Sequence, residues 1–189
     1  LAGGEDEPVI LANPPPESQC ALRPTLIPRL LEVARRNFNQ RANRVAIFEL
    51  GKCFTQSGGK RREQLRLSGL WAGRASASPW KADWQPVEFL DLKGVLEVFL
   101  EKIAPRFEAA AHPLCRQGHG AAILAGDQRL GWGGELRPAL AAAFDLDLPV
   151  YIFDLDCQAL TEALQGRERG FRPLPKFPPI ERDLAVVLR

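Results

Sequence analysis

Arg44-Val45-Ala46-Ile47-Phe48-Glu49-Leu50-Gly51 alternates its side chains in the period of two that a half-buried strand requires. Val45, Ile47 and Glu49 fall on one side; Ala46, Phe48 and Leu50 fall on the other. Gly51 and Lys52 lead on to Cys53-Phe54, and Gln56–Arg62 is polar, with Ser57-Gly58-Gly59 at its centre. Glycine pairs of this kind punctuate turns. Gln64–Trp71 reads as the return strand, where Leu65, Leu67 and Gly69 alternate with polar residues. Two strands joined by so short a loop pair antiparallel.

Outward from this hairpin, helices and strands follow one another. Upstream, the spacing of Ile27, Leu30, Leu31, Ala34 and Phe38 predicts a helix over 25–39, with Pro28 in its first turn. Residues 1–24 are polar and proline-rich, an extended approach. Downstream, a Ser-, Ala- and Trp-rich loop over 73–86 precedes a helix over 87–103, with Leu92, Val95, Leu96, Phe99 and Ile103 on one face. Gly120–Leu124 and Leu130–Gly134 form a second strand pair around Gly126-Asp127. A short helix over Pro138–Phe144, a buried strand Val150–Phe153 and a helix capped by Asp156 and running to Leu164 complete the order. The fold class is α+β, a mostly antiparallel sheet flanked by helices. Residues 170–179 read as a proline-rich linker, with a further strand at 184–188.

The chain has 189 residues, 46% of them hydrophobic, and 25 basic against 23 acidic side chains, a net charge of +2. That suits one medium domain with a real core and excludes a disordered tail or a strongly basic protein. It begins at Leu1 and contains no methionine, which reads as a piece of something larger. No stretch approaches the ~20 apolar residues of a membrane span, so no membrane partner is expected. Cys20, Cys53, Cys115 and Cys157 are scattered, which fits free thiols in a cytoplasmic protein better than a disulfide scaffold. His112 and Cys115 make an HxxC pair near His119, but a zinc site needs four such ligands.

The residues carry no recognisable catalytic motif. There is no GxSxG elbow and no P-loop, and Gly131-Trp132-Gly133-Gly134 lacks both the third glycine and the βαβ frame of a dinucleotide site. Asp154 and Asp156 share one side of a strand end, where a helix cap explains them better than a metal. Glu49, in an otherwise apolar strand, needs a cationic partner such as Arg23 or Arg66. A packing or binding module is favoured over an enzyme.

Several runs, taken in order, carry a family resemblance. They are Leu22-Arg23-Pro24-Thr25-Leu26-Ile27-Pro28-Arg29-Leu30-Leu31, Arg36-Asn37, and Ile47-Phe48-Glu49-Leu50-Gly51-Lys52-Cys53-Phe54. Glu88-Phe89-Leu90-Asp91-Leu92-Lys93-Gly94, Gly134-Glu135-Leu136-Arg137-Pro138 and Lys176-Phe177-Pro178-Pro179-Ile180-Glu181-Arg182-Asp183-Leu184-Ala185 follow. Together they resemble the β subunit of bacterial phenylalanyl-tRNA synthetase over nearly the whole chain.

The resemblance implies a class II aminoacyl-tRNA synthetase-like module over 1–172 that is catalytic in fold but not in activity. Residues 173–189 would be the linker and first strand of a ferredoxin-like anticodon-binding domain. Its implied partners are the catalytic α subunit, a second αβ pair and, in the holoenzyme, tRNA. ATP and Mg²⁺ would serve the holoenzyme, and no cofactor, metal or catalytic residue is expected in this chain. Structural or interface positions implied are Arg23, Phe48, Glu49, Gly51, Phe89, Asp91, Lys93, Gly94, Gly134, Glu135 and Pro138, with Arg23, Glu49, Asp91 and Lys93 as buried polar contacts. The helices over 25–39 and 87–103 are the interface candidates.

In active class II domains an arginine ends the comparable strand, and a second follows glycines at the start of a helix. Here Thr55 follows the strand, Ala159 stands at the second arginine position, and Asp154 and Asp156 stand at glycine positions. Carboxylates there would repel a triphosphate. The family's His-Pro-Gly-Arg-Ser stretch is replaced by Arg116-Gln117-Gly118-His119-Gly120, and the histidine of its Gly-Glu-Leu-His-Pro motif by Arg137. Two alternatives remain: a stand-alone class II-like ligase with altered activity, against which Thr55 and Ala159 argue, and an independent tRNA-binding module using Arg35, Arg36, Arg41 and Arg61-Arg62.

Overall fold

A computed structural model describes residues 7–11, 20–75 and 85–165. The expected strand at 184–188, the linker and the 173–189 segment lie outside the described residues.

One sheet organises everything described. Its strands are β1 (Glu7–Pro8), β2 (Arg44–Ser57), β3 (Lys60–Gly73), β4 (Arg106–Ala109), β5 (Cys115–Ala125), β6 (Gln128–Leu136) and β7 (Val150–Asp156). They lie in the order β1-β2-β3-β7-β6-β5-β4, and every pairing is antiparallel. The helices are α1 (Ile27–Asn39), α2 (Phe89–Phe99), α3 (Pro138–Ala142) and α4 (Cys157–Leu164). A 3₁₀ turn, Glu101–Ile103, follows α2.

The founding hairpin is longer than the sequence suggests. Ser57 pairs with Lys60, so the strands run to a two-residue turn in which Gly58 and Gly59 both have positive φ, 55° and 75°. Two left-handed residues match the strands' twist, and only glycine adopts them without strain. Within the polar stretch 56–62, residues 56–57 and 60–62 are therefore strand and only Gly58-Gly59 is turn. β4 escapes the sequence reading because it is only four residues long, too short for the alternation of Arg106 and Glu108 with Phe107 and Ala109 to stand out.

Register assigns the two faces. Val45, Ile47 and Glu49 share a face with Leu70, Ser68, Ile152, Asp154 and Trp132. α1 lies over one end of this first face, where Ile27, Leu30, Leu31 and Ala34 are buried against Val45, Leu70 and Ile152. Each large apolar side chain buried this way contributes about 1.5–3 kcal/mol. The second face carries α2 and α4, with Leu92, Leu96, Leu100 and Ile103 packed near Ile123, Leu130 and Leu155.

α2 corrects one expectation. Leu92, Leu96, Leu100 and Ile103 form its inner stripe, whereas Val95 and Phe99 are exposed. The stripe i, i+4, i+8 turns gradually around the axis and leaves the residues beside it outside. The helix begins at a reciprocal cap: Glu88 N–H donates to Asp91 Oδ2 at 2.8 Å.

Candidate functional site

Beyond the reach of α1, the first face turns polar. Arg23 arrives from the segment before α1, which is anchored by Phe54 N–H donating to the Arg23 carbonyl at 2.9 Å. Its Nη1 meets Glu49 Oε1 at 2.6 Å, and its Nε donates to the Lys52 carbonyl at 3.0 Å. Gly51 lies directly under this guanidinium, where a Cβ would collide with Arg23 Nη2.

Next to this pair sits a tighter one. Arg66 on β3 donates to Asp154 through Nε at 3.1 Å and again through Nη2, and its Nη1 reaches Asp156 Oδ2 at 3.2 Å. Ser68 Oγ donates to the other oxygen of Asp154 at 2.5 Å. Asp156 Oδ1 also caps α4, accepting from Gln158 N–H and Ala159 N–H. Burial alone would lower the Arg66 pKa, but the hydrogen bond and charge of Asp154, with Asp156 behind it, hold it above its ordinary value. Every group in this cluster is thus occupied by another group of the same chain.

The remaining reactive side chains on this face are equally quiet. Burial pushes the Cys53 thiol up to about 11, with Asp154 adding to the effect, and burial raises Cys115 likewise. A thiol so raised is not a nucleophile at neutral pH. His112 stacks on Trp132 with ring centroids 3.5 Å apart and accepts from Leu114 N–H through Nδ1. Burial, then the charge of Arg129, pushes its pKa down to about 4. The folded protein therefore keeps a neutral imidazole that the unfolded chain protonates near 6.5. Its stabilising contribution is complete above about pH 6.5 and is lost as pH falls towards 4. His112→Gln should flatten the decline in urea midpoint between about pH 7 and pH 5; an unchanged slope would contradict this assignment.

On the second face, Glu135 is only 7% exposed. Arg116 Nη1 lies 3.2 Å from its Oε1, and His119 Nδ1 lies 3.0 Å from its Oε2. Nothing in the glycine-rich strand pattern signalled this pairing.

The same face also holds an apolar opening. Leu67, Leu92, Leu96, Phe153 and Leu160 line a groove of about 650 Å³ between the hairpin, α2 and α4. Phe48, 74% exposed, and Phe99, 58% exposed, stand on it. Exposed apolar surface of this extent marks an interaction site in a folded protein.

The singled-out residues separate accordingly. Arg23, Glu49 and Gly51 meet at the first face, and Glu49 takes Arg23 while Arg66 goes to the aspartates. The expectation of burial fails for four of them. Arg23 and Glu49 are half-exposed, Asp91 is a helix cap, and Lys93 pairs with Glu97 at the surface at 3.3 Å. Long flexible cations keep their heads in water where they can. Among the described residues, the buried polar ones are Ser68, Glu135 and Asp154. Phe89 and Glu135 line a separate 400 Å³ hollow on the second face. Gly94 has open space around it, Gly134 is tightly enclosed, and Pro138 opens α3. Among the described residues no group of three metal-ligating side chains forms, and no helix is long and apolar enough to cross a membrane.

Residues 2–157 match the family described as the phenylalanyl tRNA synthetase beta chain CLM domain. Among curated relatives, the phenylalanine–tRNA ligase beta subunit of Moorella thermoacetica is 42% identical over 193 residues, covering 97% of this chain and 24% of the relative. That of Burkholderia lata is 36% identical, covering 98% of this chain and 24% of its own length. The chain thus spans about a quarter of these relatives. In three dimensions it is similar to the pyrrolysyl-tRNA synthetase of Desulfitobacterium hafniense, with a TM-score of 0.62 at 18% identity over 84% of this chain and 53% of that one. This likeness supports a class II-like fold.

Proposed function

Because the chain belongs to the CLM-domain family of the phenylalanyl-tRNA synthetase β chain, we propose that it is a non-catalytic, architectural module. In this reading it pairs with the α subunit, within an assembly of two α and two β chains that attaches phenylalanine to its tRNA in the cytoplasm. ATP and Mg²⁺ belong to that holoenzyme. The observation that carries the reading is the contrast between the two faces of the sheet. On the first, the Arg66 guanidinium is spent on Asp154 and Asp156, so it is not free for a phosphate, and two carboxylates stand where a triphosphate would need donors. The residues present do not fit ATP. On the second, an apolar groove beside α2 is open.

The groove favours the helix expected at 87–103 over the one at 25–39 as the docking element. The outward side of α1 carries Arg29, Glu32, Arg35 and Arg36, with ion pairs to Glu32 and Asp145. The outward side of α2 carries Val95, Val98 and Phe99. Residues 1–172 would form the module and 173–189 the start of an anticodon-binding domain.

Co-expression of the full-length β chain with the α chain tests this. Phe48→Asp with Phe99→Asp places charge on two exposed positions and should leave the circular dichroism spectrum unchanged while α no longer co-purifies. Co-purification at the wild-type ratio would sink the reading. So would tight ATP binding by the β chain alone, which favours the altered-ligase alternative.

A further inference from the structure

We propose that the outer end of the β2–β3 hairpin is an RNA-backbone contact, a cationic ribbon that grips phosphates of the tRNA; this rests on the synthetase reading above.

The ribbon is defined by where the sheet stops. β7 pairs with β3 only from Arg66 to Ala72, and β1 touches β2 only at Thr55 and Gln56. Six residue pairs, from Lys52↔Leu65 to Ser57↔Lys60, therefore extend past β7, with β1 alongside at Thr55 and Gln56. At ~3.3 Å per residue that is about 20 Å of two-stranded ribbon. Its tip is Gly58-Gly59, where an added Cβ would meet open space at either position.

Charge on this ribbon is one-sided in sign. Lys60, Arg61 and Arg62 are exposed, and none has a side-chain partner among the described residues. The single carboxylate on the ribbon, Glu63, is held by Lys52 at 2.6 Å. Arg23, Arg29, Arg35, Arg66 and Arg116 elsewhere are all paired. Three adjacent exposed cations with no ion-pair partner among the described residues repel one another.

The ligand class follows from the neighbours. Register places Lys60 and Arg62 on one face of the ribbon with Thr55, Ser57 and Gln64. That face offers cations, hydroxyls and an amide, and no carboxylate. Phosphate oxygens accept from all of these, and ribose hydroxyls pair with the neutral ones. An acidic protein partner would need an apolar anchor near the tip, and a membrane would need apolar wedges; the stretch Thr55–Gln64 supplies neither.

The test uses the full-length β chain, with and without α, and tRNA binding measured between about 50 and 200 mM salt. Lys60→Gln, Arg61→Gln and Arg62→Gln together should lower the slope of log K against log salt by about 2–3 and weaken binding at least roughly tenfold at the low end. The charge-conserving set Lys60→Arg, Arg61→Lys, Arg62→Lys should keep both. An unchanged slope and affinity in the neutral variant would overturn the proposal. So would equal losses in the charge-conserving set, or lost α association with an unchanged slope, which would make the ribbon a protein contact. Failure of the wild-type β chain to bind α would count against the pairing reading alone, because the slope is read on the β chain in either case.

Discussion

Replacing Asp154 by alanine is expected to destabilise the fold by about 3–5 kcal/mol, the range for removing one partner of a buried ion pair. Arg66 and Asp154 are 19% and 11% exposed at their side chains, so solvent screens little of the loss. Three donors lose their acceptor at once: two nitrogens of Arg66 and the hydroxyl of Ser68. Asp156 stays within 3.2 Å of Arg66, which puts the expectation at the lower end of the range. For a domain of this size, about 3 kcal/mol is a drop of roughly 6–12 °C in Tm. A second variant separates a lost bond from a stranded charge. Asp154→Leu with Arg66→Met removes both partners and should recover part of the loss, because an unpaired buried charge costs more than a missing pair. A single-variant loss below about 1 kcal/mol would show the pair to be effectively solvated.

The second large effect lies at Gly134. A Cβ there would press on the His119 carbonyl oxygen, with Cys115 Sγ at 2.8 Å and the Gly120 Cα at 2.9 Å. Two of these are backbone atoms of β5, the partner strand, so relief requires the ladder to open. Gly134→Val should cost about 3 kcal/mol, at the upper end for overpacking, read as a fall in urea midpoint at unchanged m-value. Gly94 provides the contrast. It sits inside α2 with nothing within 4 Å of where a Cβ would stand, so Gly94→Ala should stabilise by about 0.5–1 kcal/mol. Equal effects of the two substitutions would mean that close approach is not what glycine supplies at Gly134.

The strand period in residues 44–51 and the stripe of α1 were legible because each buries one face only, and burial imposes the pattern that sequence reading detects. The Asp156 cap was legible for a similar reason, since it is a local contact spanning two or three residues. What was not legible depended on distant partners. Glu49 announced the need for a cation, but both Arg23 and Arg66 qualified, and only the order β3-β7 shows that Arg66 belongs to Asp154. Val95 and Phe99 looked like core because they are apolar and near the helical stripe. Their exposure reflects a surface left open by the described residues, which periodicity cannot separate from an interior. Glu135 was invisible as a buried carboxylate because its partners, Arg116 and His119, come from an adjacent strand.

The position of β7 has a consequence for synthesis. β2 and β3 are joined by a tight turn, as are β5 and β6, so each pair closes soon after it leaves the ribosome. β7 is the last described strand in the chain, yet it lies between β3 and β6 at the centre of the sheet. Until Val150–Asp156 emerges, two half-sheets exist, each with a bare edge of unpaired backbone groups facing where the other should be. The nascent chain therefore carries its greatest risk of pairing with the wrong neighbour just before β7 is added, and a ribosome that stalls short of residue 150 releases two half-sheets with bare inner edges in place of one continuous sheet.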